Sequence, residues 1–136
     1  MVRHHTPSLS FEVFPPNPAV GNEKIIQALR EMQDIAPHYI SVTASNNKFN
    51  IEETTVRLAD FIYNDLKIPT IAHLPAVYLT KEMVSDTLQA LDKVGVHKIL
   101  ALRGDIFPDV APKDDFKYAT DLIEYIKEEA PHFDIV

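Results

Sequence analysis

Four polar side chains that can take part in chemistry recur along the chain at a nearly constant interval. They are Glu12, Thr43, His73 and Asp105, separated by 31, 30 and 32 residues. The two carboxyls can donate or accept protons, and the imidazole and the hydroxyl can form hydrogen bonds to a ligand. The set suits acid–base chemistry on a bound small molecule, if the fold brings the four positions together.

Glu12 lies in the middle of a predicted strand, where a carboxylate is unusual. Alternate residues of a strand point to opposite faces, so Glu12 shares a face with Phe14 and opposes Phe11 and Val13. An apolar neighbour and the lack of an adjacent base favour the protonated carboxyl, which is the form that a general acid needs. A charge on an edge strand, or a structural hydrogen-bond acceptor, explains the same pattern, and the pattern alone favours that simpler interpretation.

The apolar run 99–102 ends abruptly in Arg103, Gly104 and Asp105. Arginine pairs with phosphate through two hydrogen bonds, glycine lets the backbone approach a ligand, and the aspartate can orient or polarise a heterocycle. A turn with a local ion pair accounts for this short triplet equally well.

His73 and Thr43 each stand near the end of a predicted strand. No second histidine lies at metal-ligand spacing from His73, so we expect no metal site. Its imidazole is either a hydrogen-bond donor to a ligand or an ordinary buried histidine, and the latter is the simpler interpretation. Thr43 begins a polar loop that is compatible with ligand binding and with a simple turn. The sequence has no phosphate-binding glycine loop and no dinucleotide fingerprint, so any nucleotide must be bound in another way.

Strands and helices are predicted to alternate along the chain. Runs rich in β-branched and aromatic residues predict strands at 8–14, 39–43, 70–74 and 98–102, with a fifth strand beginning at 133–136. Apolar residues at helical spacing predict four amphipathic helices, near 25–36, 55–66, 84–95 and 119–130. Thr80, between Leu79 and Val84, is expected to cap the third helix.

This alternation predicts an α/β fold with parallel strands joined by right-handed crossovers. A repeat of nearly constant length favours a (β/α)8 TIM barrel over a doubly wound sheet. Eight such repeats take about 250 residues, whereas this chain supplies about four, so we expect half a barrel. Barrel active sites lie at the carboxyl ends of the strands, which is where the four polar residues fall.

Composition limits the classes of protein that fit. The chain has 136 residues, of which 46% are hydrophobic and 24% are charged, and no linker divides it, so residues 1–136 are expected to form a single unit. The absence of cysteine excludes disulfides, zinc–thiolate sites and a thiol nucleophile, and it favours a cytoplasmic location. A net charge of −7 disfavours nucleic acid and anionic membrane surfaces as partners.

Several short motifs at these positions resemble methylenetetrahydrofolate reductases. The motifs are residues 10–16 (SFEVFPP), 42–43 (VT), 72–74 (AHL), 99–105 (ILALRGD) and 118–122 (YATDL). Their order and spacing match as well, and the resemblance covers essentially the whole chain. Each motif is short, but their joint occurrence at barrel spacing is specific.

The resemblance implies a flavoenzyme of one-carbon metabolism that serves methionine synthesis. In that family NAD(P)H reduces bound FAD, and the reduced flavin passes a hydride to 5,10-methylenetetrahydrofolate to give 5-methyltetrahydrofolate. The resemblance therefore implies an oxidoreductase that uses FAD as its cofactor and acts on small-molecule substrates.

The same resemblance implies roles for individual residues. Glu12 is the general acid that helps to open the folate ring to an iminium cation, and Asp105, between flavin and folate, favours that cation by its negative charge. The flavin-contacting positions are Thr43, His73, Leu102, Arg103, Gly104, Asp105, Tyr118 and Ala119.

The chain departs from its relatives in two loops and in its extent. Residues 44–47 (ASNN) replace an aromatic residue and glycines, and Pro75-Ala76 replaces Thr-Cys. Strands five to eight of the family's barrel, with further FAD, folate and NAD(P)H contacts, are absent from these 136 residues, so we expect the chain alone to be catalytically incomplete. The alternative is a non-catalytic half barrel that self-associates through open strand edges, and a homo-oligomer is expected in either case.

Overall fold

A five-stranded parallel sheet forms the centre of the protein. The computed structural model describes residues 9–15, 23–44, 51–104 and 111–136. The strands are β1 (Ser10–Val13), β2 (Tyr39–Val42), β3 (Thr70–Pro75), β4 (Lys98–Leu102) and β5 (Asp134–Ile135). They lie in the order β1-β2-β3-β4-β5 and every neighbouring pair is parallel. Each crossover therefore moves one strand further in the same direction, as in a TIM barrel, whereas a doubly wound sheet reverses direction.

Helical segments connect successive strands, as the alternation predicts. They are α1 (Glu23–Ile35), α2 (Arg57–Asp60), α3 (Lys81–Val94) and α4 (Ala119–Glu129), with a 3₁₀ turn at Ala76–Tyr78. The second segment differs from a regular helix, because α2 is flanked by π-helical turns at Glu52–Val56 and Phe61–Asp65. Among the described residues, no helix has both the length and the apolar character that crossing a membrane requires.

The ends of the helices follow local chemistry. The Thr80 hydroxyl accepts a hydrogen bond of 3.1 Å from the Met83 amide, so Thr80 caps α3 as predicted. Gly95 ends the same helix with φ +83°, a conformation that glycine adopts without strain. One prediction was too long: Ala36 lies beyond the last turn of α1 and has φ +53°.

The two faces of the sheet differ in burial. One face packs against the helices and forms the core; its residues Ile40, Val42, Ala72, Leu74 and Ile99 are fully buried. Strand pairing and alternation place a second set of side chains on the opposite face. We call this opposite face the open face; it consists of Ser10, Glu12, Phe14, Ser41, Thr43, Ile71, His73, Leu100 and Leu102. On this face Ser41, Thr43, Ile71 and His73 are buried, whereas Phe14 is 68% exposed and Leu102 is 38% exposed.

Candidate functional site

The strand register brings three of the predicted polar site residues onto the open face. Glu12 pairs with Ser41, which pairs with Ile71, so these three positions form one row across β1, β2 and β3. Thr43 and His73 lie two residues further along their strands and therefore point to the same face as that row. All three predicted residues are thus near the carboxyl end of the sheet, as the barrel interpretation requires.

Glu12 and His73 are neighbours although β2 separates their strands. The Nδ1 atom of His73 lies 3.8 Å from Oε1 of Glu12, and their side chains are 7% and 57% exposed. The sequence-based premise that Glu12 has no adjacent base is therefore wrong. The carboxyl is also more accessible than a strand-centre position suggests, because β1 is at the edge of the described sheet.

Burial keeps the His73 imidazole in its neutral form. Removal from water lowers the pKa of His73 below its ordinary value, and the nearby Glu12 carboxylate only partly opposes that effect. A neutral imidazole has one N–H and one bare nitrogen. If Nδ1 carries the hydrogen, the N–H faces the Glu12 carboxyl and Nε2 is left as an acceptor.

The other ring nitrogen of His73, Nε2, forms no hydrogen bond to the described residues. Nε2 is buried and is unpaired within the part of the chain that the structure describes. Leaving a buried polar atom unsatisfied costs about 1–3 kcal/mol, so such an atom calls for an explanation. A ligand donor bound on the open face supplies one.

Thr43 has a structural role that the sequence did not reveal. Its amide and its hydroxyl both donate to the carbonyl of Val13, at 3.0 and 3.3 Å, and its own carbonyl accepts from the hydroxyl of Thr55 at 3.0 Å. These bonds extend the pairing of β1 with β2 and attach the second helical segment to the strand end. The hydroxyl oxygen keeps a free lone pair, so it can still accept from a ligand.

The end of β4 is fixed against the turn that follows β3. The carbonyl of Arg103 accepts from the amide of Val77 at 2.9 Å, and the carbonyl of Val77 accepts from the amide of Lys113 at 2.6 Å. The Arg103 side chain is exposed at this edge. The third member of the triplet, Asp105, lies outside the described residues.

The backbone conformation and the close packing at position 104 both favour glycine. Its φ is +91°, and a Cβ there would lie 3.0 Å from Cβ of Pro75 and 3.2 Å from Cγ2 of Val77. Both contacts are tighter than ordinary side-chain packing allows. The sequence predicted that this glycine allows a ligand to approach the backbone, whereas among the described residues the close neighbours are Pro75 and Val77.

Tyr118 and Ala119 start α4. The amide of Tyr118 donates to a carboxylate oxygen of Asp121 at 3.0 Å, and its carbonyl accepts from the amide of Asp121 at 3.1 Å. The Tyr118 side chain is 60% exposed. Because α4 returns from β4 towards β5, its first residues stand at the carboxyl end of the sheet, the same end as Glu12 and His73.

The pairing of Glu12 with His73 is the feature of this site that sequence reasoning missed. The signal for it is the alternation of β1 and β3, which places both residues on one face once the register is known. The arrangement combines an accessible carboxyl, a neutral imidazole with an unused nitrogen, and an exposed guanidinium near one edge. It can bind a polar heterocycle and donate a proton to it.

Comparison with known proteins finds one family. The family model for methylenetetrahydrofolate reductase matches residues 1–136. Methylenetetrahydrofolate reductase 2 of Schizosaccharomyces pombe is 32% identical over 126 residues, which are 88% of this chain and 19% of that protein. The 5,10-methylenetetrahydrofolate reductase of Buchnera aphidicola is 33% identical over 121 residues, covering 88% of this chain and 40% of the relative. Methylenetetrahydrofolate reductase (NADH) 1 of Zea mays is 26% identical over 126 residues, which are 88% of this chain and 21% of that protein.

Proposed function

The chain belongs to the methylenetetrahydrofolate reductase family, and we propose from this that it supplies the Glu12–His73 part of a flavin-dependent folate reductase site. The observation that carries the proposal is the pairing of these two residues on the open face, with His73 Nε2 unpaired. The chain spans between 19% and 40% of the length of the relatives described above. We therefore also propose, for the complete enzyme, that it reduces 5,10-methylenetetrahydrofolate with NAD(P)H.

The residues at the carboxyl end of the sheet fit an FAD molecule. His73 offers a buried nitrogen without a partner, and Arg103 offers an exposed cation suited to a phosphate. Thr43, Leu102, Gly104, Tyr118 and Ala119 belong to the same end of the sheet and are proposed to complete the contacts of this half, together with Asp105. When bound, FAD supplies the hydride chemistry that amino-acid side chains do not provide.

Glu12 is the proposed proton donor to the folate. Its carboxyl is accessible from the open face, so a substrate stacked above the sheet can reach it. His73 lies beside it, with Nδ1 3.8 Å from Oε1 of Glu12. We assign His73 a positioning role, with Nδ1 turned towards the carboxyl and Nε2 towards the ligand.

Asp105 is the second proposed catalytic group. The position follows Gly104 directly, so the fixed end of β4 determines where the loop leaves the sheet. By the family resemblance, the Asp105 carboxylate is proposed to favour a cation that develops on the folate. The assignment rests on the family resemblance of the Leu102–Asp105 motif.

We also propose that the chain forms about half of a (β/α)8 barrel. Five parallel strands in sequential order, with described helices between successive strands, are what the first part of a (β/α)8 barrel looks like. In a closed barrel the open face becomes the interior, and further strands add the remaining contacts for FAD, folate and NAD(P)H. The 136 residues alone are then catalytically incomplete.

Flavin binding tests the proposed function. The complete gene product that carries residues 1–136 is expected to purify with FAD or to bind it on titration, as followed by quenching of flavin fluorescence. The 136-residue chain alone is expected to bind FAD more weakly, since only part of the contact shell is present. A complete gene product without flavin absorbance and without FAD binding would refute the proposal.

A second candidate function is self-association without catalysis, and the exposed apolar side chains favour it. Phe14 and Leu102 on the open face are 68% and 38% exposed, and Val136 beside β5 is 55% exposed. Parallel sheets are almost always covered on both faces. A second copy of the chain is one way to cover the open face, and a homo-oligomer is proposed on that ground.

Light scattering distinguishes self-association from a self-sufficient monomer. The 136-residue chain is expected to form a dimer or a larger oligomer at micromolar concentration, and Phe14→Ser is expected to weaken that association. Met83→Ser is the matched control, because Met83 is 38% exposed but lies on the outer helix α3. A monodisperse monomer that binds FAD tightly would contradict both the half barrel and the self-association.

A further inference from the structure

A cluster of two histidines and an aspartate lies at the opposite end of the sheet from the Glu12–His73 site. Asp92 is in the last turn of α3, and His97 stands directly before β4. His132 lies between α4 and β5. Residues that precede parallel strands lie at the amino edge of the sheet, so the cluster is separate from the proposed flavin site.

The three side chains direct their ligand atoms to one point. Oδ1 of Asp92 lies 2.7 Å from Nε2 of His97 and 3.2 Å from Nε2 of His132. All three ligand atoms lie within 4.8 Å of one another. A tetrahedral ion with bonds of about 2.0 Å separates adjacent ligand atoms by about 3.3 Å. The shortest contact, 2.7 Å between Asp92 and His97, must therefore open by about 0.6 Å to admit such an ion.

Aromatic packing holds both imidazoles in place. The ring of Phe133 lies 5.3 Å from that of His97 and 4.8 Å from that of His132, and Phe133 itself is buried. The two imidazoles are 5.5 Å apart in an edge-to-face arrangement. The amide of Asp134 donates to the carbonyl of His97 at 2.7 Å, which fixes the two loops to each other. The ligand set is therefore largely preorganised.

A surface cavity of about 200 Å³ borders the cluster. Its lining includes Asp92, His132, Ser85, Gln89 and Glu129. The cavity has room for a water molecule as a fourth ligand, and its lining includes one further acidic residue, Glu129.

We propose that Asp92, His97 and His132 form a binding site for a divalent transition-metal ion, with Zn²⁺ as the best match. Two imidazoles and one carboxylate with an open fourth position are a common tetrahedral zinc set. Imidazole ligands favour zinc-type ions over Mg²⁺ and Ca²⁺, which prefer oxygen. The ion connects α3 with the loops before β4 and β5, so its binding stabilises the folded chain. The proposal departs from the sequence-based expectation of no metal site.

Zinc titration against a chromophoric chelator tests the site in the 136-residue chain. His4 and His5 are adjacent in the sequence and can bind metal by themselves, so all variants carry His4→Gln and His5→Gln. In that background the chain is expected to bind one equivalent of Zn²⁺. His97→Gln or His132→Gln is expected to weaken binding by more than about tenfold. His38→Gln, which changes an exposed histidine outside the cluster, is expected to leave binding unchanged.

Two further measurements separate coordination from misfolding. Co²⁺ bound in place of Zn²⁺ should give the visible absorption of a tetrahedral site, and this absorption should disappear in His132→Gln. Zn²⁺ should raise the thermal unfolding midpoint of the background chain but not that of His132→Gln, while the two midpoints without metal stay similar. Absence of zinc binding in the background chain, or binding that survives both histidine substitutions, would overturn the proposal.

Discussion

Glu12→Gln is expected to lower the rate of folate reduction by about 10²–10⁴-fold, the usual contribution of a positioned general acid. The amide has nearly the shape of the carboxyl but cannot donate its proton in the same way. Reduction of the flavin by NAD(P)H needs no proton from this group, so that half-reaction should stay within about twofold of the unchanged protein. Stopped-flow measurement of the two half-reactions in the complete gene product separates them.

A matched control and a contradicting result follow from the structure. Glu31→Gln makes the same chemical change at an exposed position of α1 and should leave both half-reactions unchanged. An equal loss in both half-reactions for Glu12→Gln would mean that Glu12 supports flavin binding or folding instead of proton donation.

His73→Leu is expected to have effects of opposite sign on stability and on flavin affinity. Leucine removes the buried nitrogen that lacks a partner, so the free energy of unfolding of the ligand-free protein should rise by about 1 kcal/mol. The affinity for FAD should fall by about tenfold, because the ligand loses its hydrogen-bond partner. Denaturant unfolding and FAD titration measure the two quantities.

The same substitution changes the pH dependence of stability. The pKa of His73 is lowered in the folded protein, so below its ordinary value of 6.5 the unfolded chain takes up the proton first. Stability of the ligand-free wild-type protein should therefore decline as the pH falls below 6.5, and this part of the decline should disappear in His73→Leu. His38→Leu, at an exposed histidine, should show none of these effects. A loss of both stability and FAD affinity in His73→Leu would indicate a purely structural histidine.

The elements of the fold were predictable because their signals are local. The run 98–102 became β4 with the same bounds, and Thr80 caps α3 through its own hydroxyl. Apolar spacing placed the second helical segment correctly, but the π-helical turns on either side of α2 have no signature in that spacing. The extent of the barrel stays a prediction.

The relations between distant segments were not predictable from the sequence. The contact of Glu12 with His73 depends on the register of two strands with a third between them. The zinc ligands stand at positions 92, 97 and 132, where no local spacing suggests a shared site. Gly104 is explained by its contact with Pro75, which only the packing of two loops reveals. In each case the missing information was three-dimensional.

The most direct test of the proposed function is an anaerobic half-reaction with the complete gene product. The flavin is first reduced with NAD(P)H, and the reduced protein is then mixed rapidly with 5,10-methylenetetrahydrofolate. We expect the flavin absorbance to return, with one 5-methyltetrahydrofolate formed for each flavin reoxidised. A flavin that NAD(P)H reduces but that 5,10-methylenetetrahydrofolate leaves reduced would contradict the assignment of the Glu12–His73 site to folate reduction.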